Sequence, residues 1–148
     1  MTDEARGLLS SLHPGEDGPA RVGRLAAFDA DPERVFLAGL SQGGAGVGRA
    51  GRATPERYAG LIFVSPEMER GVLGSPEFLD GWKGRPVLVI QGERDWNVLP
   101  RTVDAACELL EAGGLRVAQH RDPDAGHFLF FAKLDEVFAV IEGWVSRL

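Results

Sequence analysis

Ser41, Asp95 and His127 occur in that order along this 148-residue chain. They lie in the segments Gly39-Leu40-Ser41-Gln42-Gly43, Gly92-Glu93-Arg94-Asp95 and Asp124-Ala125-Gly126-His127-Phe128. A serine hydroxyl becomes an effective nucleophile when an imidazole takes its proton, and the imidazole needs a carboxylate to fix its tautomer and stabilise its charge. The backbone N–H of Gln42, where a helix is predicted to begin, could stabilise an oxyanion forming beside Ser41. In a chain with 20 glycines a Gly-x-Ser-x-Gly pentapeptide carries little weight alone. The ordered trio and its surroundings carry more.

Those surroundings read as alternating strands and helices. Apolar, β-branched runs predict strands over Val35 to Leu40, Tyr58 to Ser65, Val87 to Gln91 and Arg116 to Arg121. Helices are predicted from Gln42 to about Ala50, from Arg101 to Ala112 and from Phe128 to Arg147. Such alternation implies a parallel sheet with crossover helices, and each of the three polar residues falls just past the carboxyl end of a strand, where open α/β sheets place their ligands. Ser41 would occupy a strand-to-helix turn so tight that larger residues at 39 and 43 would collide.

Two helices are informative in themselves. In the last, Leu134, Val137, Phe138, Ile141, Trp144 and Val145 recur at three- and four-residue steps, an apolar stripe expected to pack on the sheet. The helix after Ser41 carries Gly43, Gly44, Gly46, Gly48 and Gly51, each costing about 1 kcal/mol of helix propensity relative to alanine. Its backbone must pack very closely, or the helix is marginal.

The first 34 residues show no strand pattern. Thr2 can cap a short helix to about Leu12, the run His13-Pro14-Gly15-Glu16-Asp17-Gly18-Pro19 breaks it, and Ala20 to Phe28 reads as a second helix. The chain is therefore expected to be a single domain over 1–148, with a helical N-terminal segment over 1–34 and an α/β core over 35–148.

A net charge of −6 argues against a nucleic-acid partner, whose phosphates require clustered lysine and arginine. No apolar run approaches a membrane span, and the N-terminus lacks the basic start and apolar stretch of a signal peptide. The single cysteine, Cys107, falls in a predicted helix, so no internal disulfide can form and a buried thiol is expected. The expectation is a cytoplasmic protein. With three scattered histidines and no cysteine pair, no metal site is expected.

The three segments together resemble the C-terminal half of an α/β-hydrolase, closest to the serine carboxylesterase and phospholipase branch, over about residues 33 to 148. The order Ser, Asp, His is that family's order. The resemblance implies a parallel sheet of about four strands with flanking helices that lacks the usual N-terminal strands, and with them the loop that supplies one oxyanion donor. It also implies an enzyme that cleaves a carboxylic ester or thioester through an acyl-serine intermediate. Ser41, Asp95 and His127 would be catalytic, with the Gln42 N–H at the oxyanion, a small acyl substrate and no cofactor.

In that family the nucleophile strand is internal, so Val35 to Leu40 is expected to be covered by the N-terminal helices or paired with a second chain, in a homo-oligomer or with a partner. A non-catalytic remnant, or one half of a split hydrolase serving as a binding or assembly subunit, is the alternative. The segment Glu67 to Gly74 stands where hydrolases often insert a lid and is short, implying an open site. Met68, Trp96 and Phe128, with Trp82, are candidate acyl-pocket residues.

Other motifs carry blander readings. Gly46-Val47-Gly48-Arg49-Ala50-Gly51 has the Gly-x-Gly-x-x-Gly form of a dinucleotide-binding loop, but it begins five residues too late after its strand. His120 reads as a surface or packing residue, and His13 as part of a helix-ending turn, the alternative being a shortened oxyanion loop.

Overall fold

The computed structural model describes residues 31–148, and chain contacts divide the protein into units Met1–Arg34 and Val35–Leu148. The helices expected in 2–28, and His13, lie outside the described residues. Of the first unit, the described part is the 3-10 turn Pro32–Arg34.

The second unit contains strands β1 (Phe36–Leu40), β2 (Gly60–Val64), β3 (Pro86–Gly92) and β4 (Arg116–Asp122). They form one sheet in the order β1-β2-β3-β4, every pair parallel. Connecting them are helices α1 (Gly43–Ala53), α2 (Arg70–Leu73), α3 (Pro76–Trp82) and α4 (Pro100–Ala112), followed by α5 (Leu129–Ala132) and α6 (Leu134–Val145). This is the parallel sheet with crossovers that the alternation predicts. Helices α2 and α3 were not predicted, although Ser75 accepts from the Phe78 N–H with Pro76 at the first helical position, a standard start signal.

Strand side chains alternate between two apolar layers, as expected for a parallel sheet buried on both faces. Leu61, Phe63, Val87 and Val89 pack with Val47 of α1, Leu73 of α2, Phe78 and Trp82 of α3, and Val103, Cys107 and Leu110 of α4. On the opposite face Ile62, Val64, Leu88 and Ile90 pack with Leu129, Val137 and Trp144. Trp82 is fully enclosed, with its indole N–H donating to the Gly51 carbonyl at 2.9 Å, so it belongs to the core and not to an acyl pocket.

The expectation for the last helix needs correction. The last helix is broken at Lys133 (φ −134°, ψ 46°), and its buried stripe is narrower than predicted: Val137 and Trp144 are buried, whereas Leu134 and Phe138 are exposed. The Gly46 to Gly51 run lies inside α1, where its N–H groups serve the helix instead of facing a phosphate, which removes the dinucleotide-loop reading. Close packing accounts for the glycines of α1 in part. Gly44, Gly48 and Gly51 are buried against neighbouring elements, while Gly43 and Gly46 face open space.

Candidate active site

The turn between β1 and α1 holds Ser41 at φ 53°, in the left-handed region that non-glycine residues adopt at a cost of about 1–3 kcal/mol. Surrounding bonds enforce it. The Ser41 N–H donates to the Val64 carbonyl at 3.0 Å, continuing the β1–β2 ladder one residue beyond the strand, and the Ser41 carbonyl accepts from the N–H groups of Gly44 and Glu67, both at 2.9 Å. A β-carbon at Gly39 would lie 2.2 Å from the Gly43 carbonyl oxygen, so glycine is required there. Gly43 is different. A β-carbon at this position meets nothing within 4 Å, so the collision expected on that side does not arise.

Asp95 follows β3 in a turn closed by its own side chain. Its Oδ1 accepts from the backbone N–H groups of Asn97 (2.9 Å) and Val98 (2.8 Å). Its Oδ2 accepts from the Gln91 side-chain amide (3.2 Å) and faces His127 Nδ1 at 2.9 Å. Four donors thus compensate a carboxylate with no exposed surface.

The Gln91 amide nitrogen also donates to the Val98 carbonyl at 3.0 Å. Because its neighbours on that side are all acceptors, the amide can be oriented only one way. The roles of Gln91, Asn97 and Val98 escaped the sequence reading. The Asp-x-Asn spacing of an Asx turn was the signal available.

His127 lies in the loop between β4 and α5, with Nε2 2.9 Å from the Ser41 hydroxyl. Since a carboxylate can only accept, Nδ1 carries the proton in the neutral ring, leaving the Nε2 lone pair facing the serine O–H. The loops bearing Asp95 and His127 are joined through their backbones. Glu93 N–H donates to the Asp122 carbonyl (2.8 Å) and Arg94 N–H to the Ala125 carbonyl (2.9 Å). A β-carbon at Gly92 would lie 2.3 Å from the Ala125 oxygen, so this crossing too depends on glycine.

Beside the Ser41 hydroxyl opens a cavity of about 490 Å3, with Gln42, Glu67, Met68, Val98 and Thr102 in its wall. The Gln42 N–H, at the first turn of α1, has no acceptor among the described residues. Met68 lines the cavity and is half-buried against the core. Trp96 and Phe128 do not line it. They are 76% and 64% exposed, and Phe128 stands edge-on to the His127 ring at 5.7 Å between centroids. His120 is a half-buried residue of β4, paired with Ile90 in the sheet register.

Among the described residues no group of three His, Cys, Asp or Glu side chains could hold a metal ion, and no helix is long and apolar enough to cross a membrane. The Cys107 thiol is buried, and burial pushes its pKa up to about 11.

The sheet, the strained serine turn and the Ser-His-Asp hydrogen-bond chain define a class: the chain has the α/β-hydrolase fold and matches the C-terminal half of that superfamily's members. Acyl-protein thioesterase 1 of Gibberella zeae is 31% identical over 112 residues, which are 74% of this chain and 48% of that protein. The chain therefore spans about half the length of that curated relative. SOBER1 of Arabidopsis thaliana superposes with a TM-score of 0.65 at 28% identity, covering 86% of this chain and 59% of that one. Esterase PE8 superposes at 0.61 with 24% identity, over 82% of this chain and 55% of its own, and supports the fold. No protein-family model matches the chain.

Proposed function

We propose that this chain is a serine hydrolase that cleaves a carboxylic ester or thioester through an acyl-serine intermediate. The observation that carries the reading is the hydrogen-bonded chain Ser41 to His127 to Asp95, with both links at 2.9 Å. Ser41 Oγ would attack the substrate carbonyl carbon while His127 Nε2 takes the hydroxyl proton, and the Asp95 carboxylate would stabilise the resulting imidazolium. The carbonyl oxygen, now negative, would accept from the Gln42 N–H at the α1 N-terminus. Collapse of the tetrahedral adduct would expel the alcohol or thiol, protonated by His127. Water, activated by the same imidazole, would then release the acid and restore Ser41.

The relative named as a thioesterase supports this chemistry. Hydrolysis of p-nitrophenyl acetate and of a short acyl thioester, falling by about 10³-fold or more in Ser41→Ala and His127→Ala, is the expected result. Equal rates in the wild type and both variants contradict the proposal. A single buried cysteine suits the reducing cytoplasm that we propose for the protein.

A second reading, one half of a split hydrolase or a remnant acting as an assembly subunit, is favoured by a specific observation. Among the described residues β1 has one sheet neighbour, β2, while the chain spans roughly half of its curated relative. Native mass spectrometry separates the two. A stable complex that is active only when assembled supports the split enzyme; an active monomer excludes it.

A further inference from the structure

We infer that the cavity beside Ser41 contains a cation-recognition subsite, formed by Glu67, which makes the protein select esters or thioesters whose leaving group or acyl chain carries a positive charge. The inference rests on the hydrolase reading above and deepens it.

Glu67 is held against the nucleophile by its backbone. Its N–H donates to the Ser41 carbonyl at 2.9 Å, and its peptide lies against Gly44 so closely that a β-carbon there would come within 2.7 Å of the Glu67 oxygen. The residue therefore has a fixed place at the mouth of the cavity that contains Ser41, Gln42 and His127. The residue is exposed and lines that cavity, and its carboxylate has no hydrogen bond or ion pair among the described residues.

The cation whose charge Glu67 influences, Arg49, is already engaged. Arg49 grips both carboxylate oxygens of Glu69 through Nε and Nη2 and meets Glu67 only through space, so Glu67 has no hydrogen-bonded cation among the described residues. Among the described residues no lysine or arginine lines the cavity, where the other side chains are uncharged polar or apolar or, in His127, imidazole. Met68 and Val98 supply apolar wall beside the charge. A carboxylate next to apolar surface suits an ammonium group carried on a short alkyl stem, and repels a carboxylate or phosphate at the same place.

The backbone bond fixes where residue 67 stands, and the glutamate type at that place sets the charge beside the cavity. Three thioesters of similar size test the idea: acetylthiocholine, its uncharged 3,3-dimethylbutyl analogue, and the acetyl thioester of 3-mercaptopropionate. For the wild type kcat/KM should fall in that order, with cation over anion by roughly tenfold at low salt, mainly through KM, and the ratio should shrink as salt rises. Glu67→Gln should bring the ratio close to one, and Glu67→Lys should invert it.

Hydrolysis of the uncharged thioester with no charge preference, or with a preference unchanged in both variants, overturns the subsite and leaves the hydrolase reading standing. Failure to hydrolyse any of the three overturns both.

Discussion

The Asp122 carboxylate at the end of β4 and the Lys133 ammonium at the break between α5 and α6 meet at 2.6 Å, closing the loop that carries His127. The other carboxylate oxygen accepts from the N–H groups of Asp124 (3.0 Å) and Ala125 (2.9 Å), so one nearly buried side chain fixes both ends of that loop. Asp122 is therefore expected to act as a positioning residue for the imidazole. Asp122→Ala should cost about 2 kcal/mol of stability through the lost charge-assisted bonds, and should lower kcat more than it changes KM. Urea unfolding and steady-state kinetics check the two parts. An unchanged kcat would leave Asp122 with a purely structural role.

The same pair sets a pH window. The hydrogen bond from Lys133 holds the Asp122 carboxyl below its ordinary value of 3.8, and the bond to Asp122 holds the Lys133 ammonium above its ordinary 10.5. A depressed acid stabilises the fold above its unfolded pKa and loses that contribution as pH falls through its folded one. A raised base stabilises below its unfolded pKa and loses the contribution as pH rises through its folded one. The pair should therefore contribute fully from about pH 4 to about pH 10.5 and progressively less outside that range. Melting temperatures of the wild type and Lys133→Met should differ by a constant amount within this range and converge as pH moves below it or above it.

Glycines around the nucleophile should respond in opposite directions. Gly39→Ala drives a methyl group into the Gly43 carbonyl and should cost about 3 kcal/mol or prevent folding, with activity lost. Gly46→Ala, in open space within α1, should raise stability by about 0.5–1 kcal/mol. Denaturant midpoints of the two variants provide the comparison.

Gln91 should tune Asp95. Gln91→Leu removes a donor from the same carboxylate oxygen that faces His127 and from the Val98 carbonyl, and should lower kcat by roughly tenfold while the fold survives. Gln91→Glu places a second carboxylate against the first and should be the worse of the two. Circular dichroism and kinetics together decide this. Equal activity in both variants would show that the amide does not act on the triad.

Cys107 should be inert in the native protein. With its pKa pushed up to about 11 by burial, the thiol is almost wholly protonated at pH 8. Iodoacetamide should modify it only after unfolding. Rapid modification of the folded protein would contradict the packing of α4.

Much of this arrangement was legible in the sequence because local rules and tertiary packing agree there. The run Pro86 to Gln91 is apolar enough to be buried on both faces, and the glycines around Ser41 and before Asp95 mark where the chain must turn at strand ends. The last helix failed at Lys133 because periodicity records apolar spacing and not the ion pair that draws Lys133 back to Asp122. The cavity wall was read less well. Trp96 and Phe128 look like pocket residues by type, but the Asp95 turn directs Trp96 outward and brings Val98 inward, a result of side-chain to backbone bonds that composition does not reveal. Glu67 was hidden for a similar reason, since its place beside Ser41 depends on a backbone bond between distant segments.

The most direct measurement is covalent labelling with a fluorophosphonate, followed by intact-mass analysis and peptide mapping. One adduct per chain on Ser41, lost on unfolding and in His127→Ala, is the predicted result. No adduct on the folded protein, or an adduct on a different serine, would contradict the nucleophile assignment on which the proposed chemistry rests.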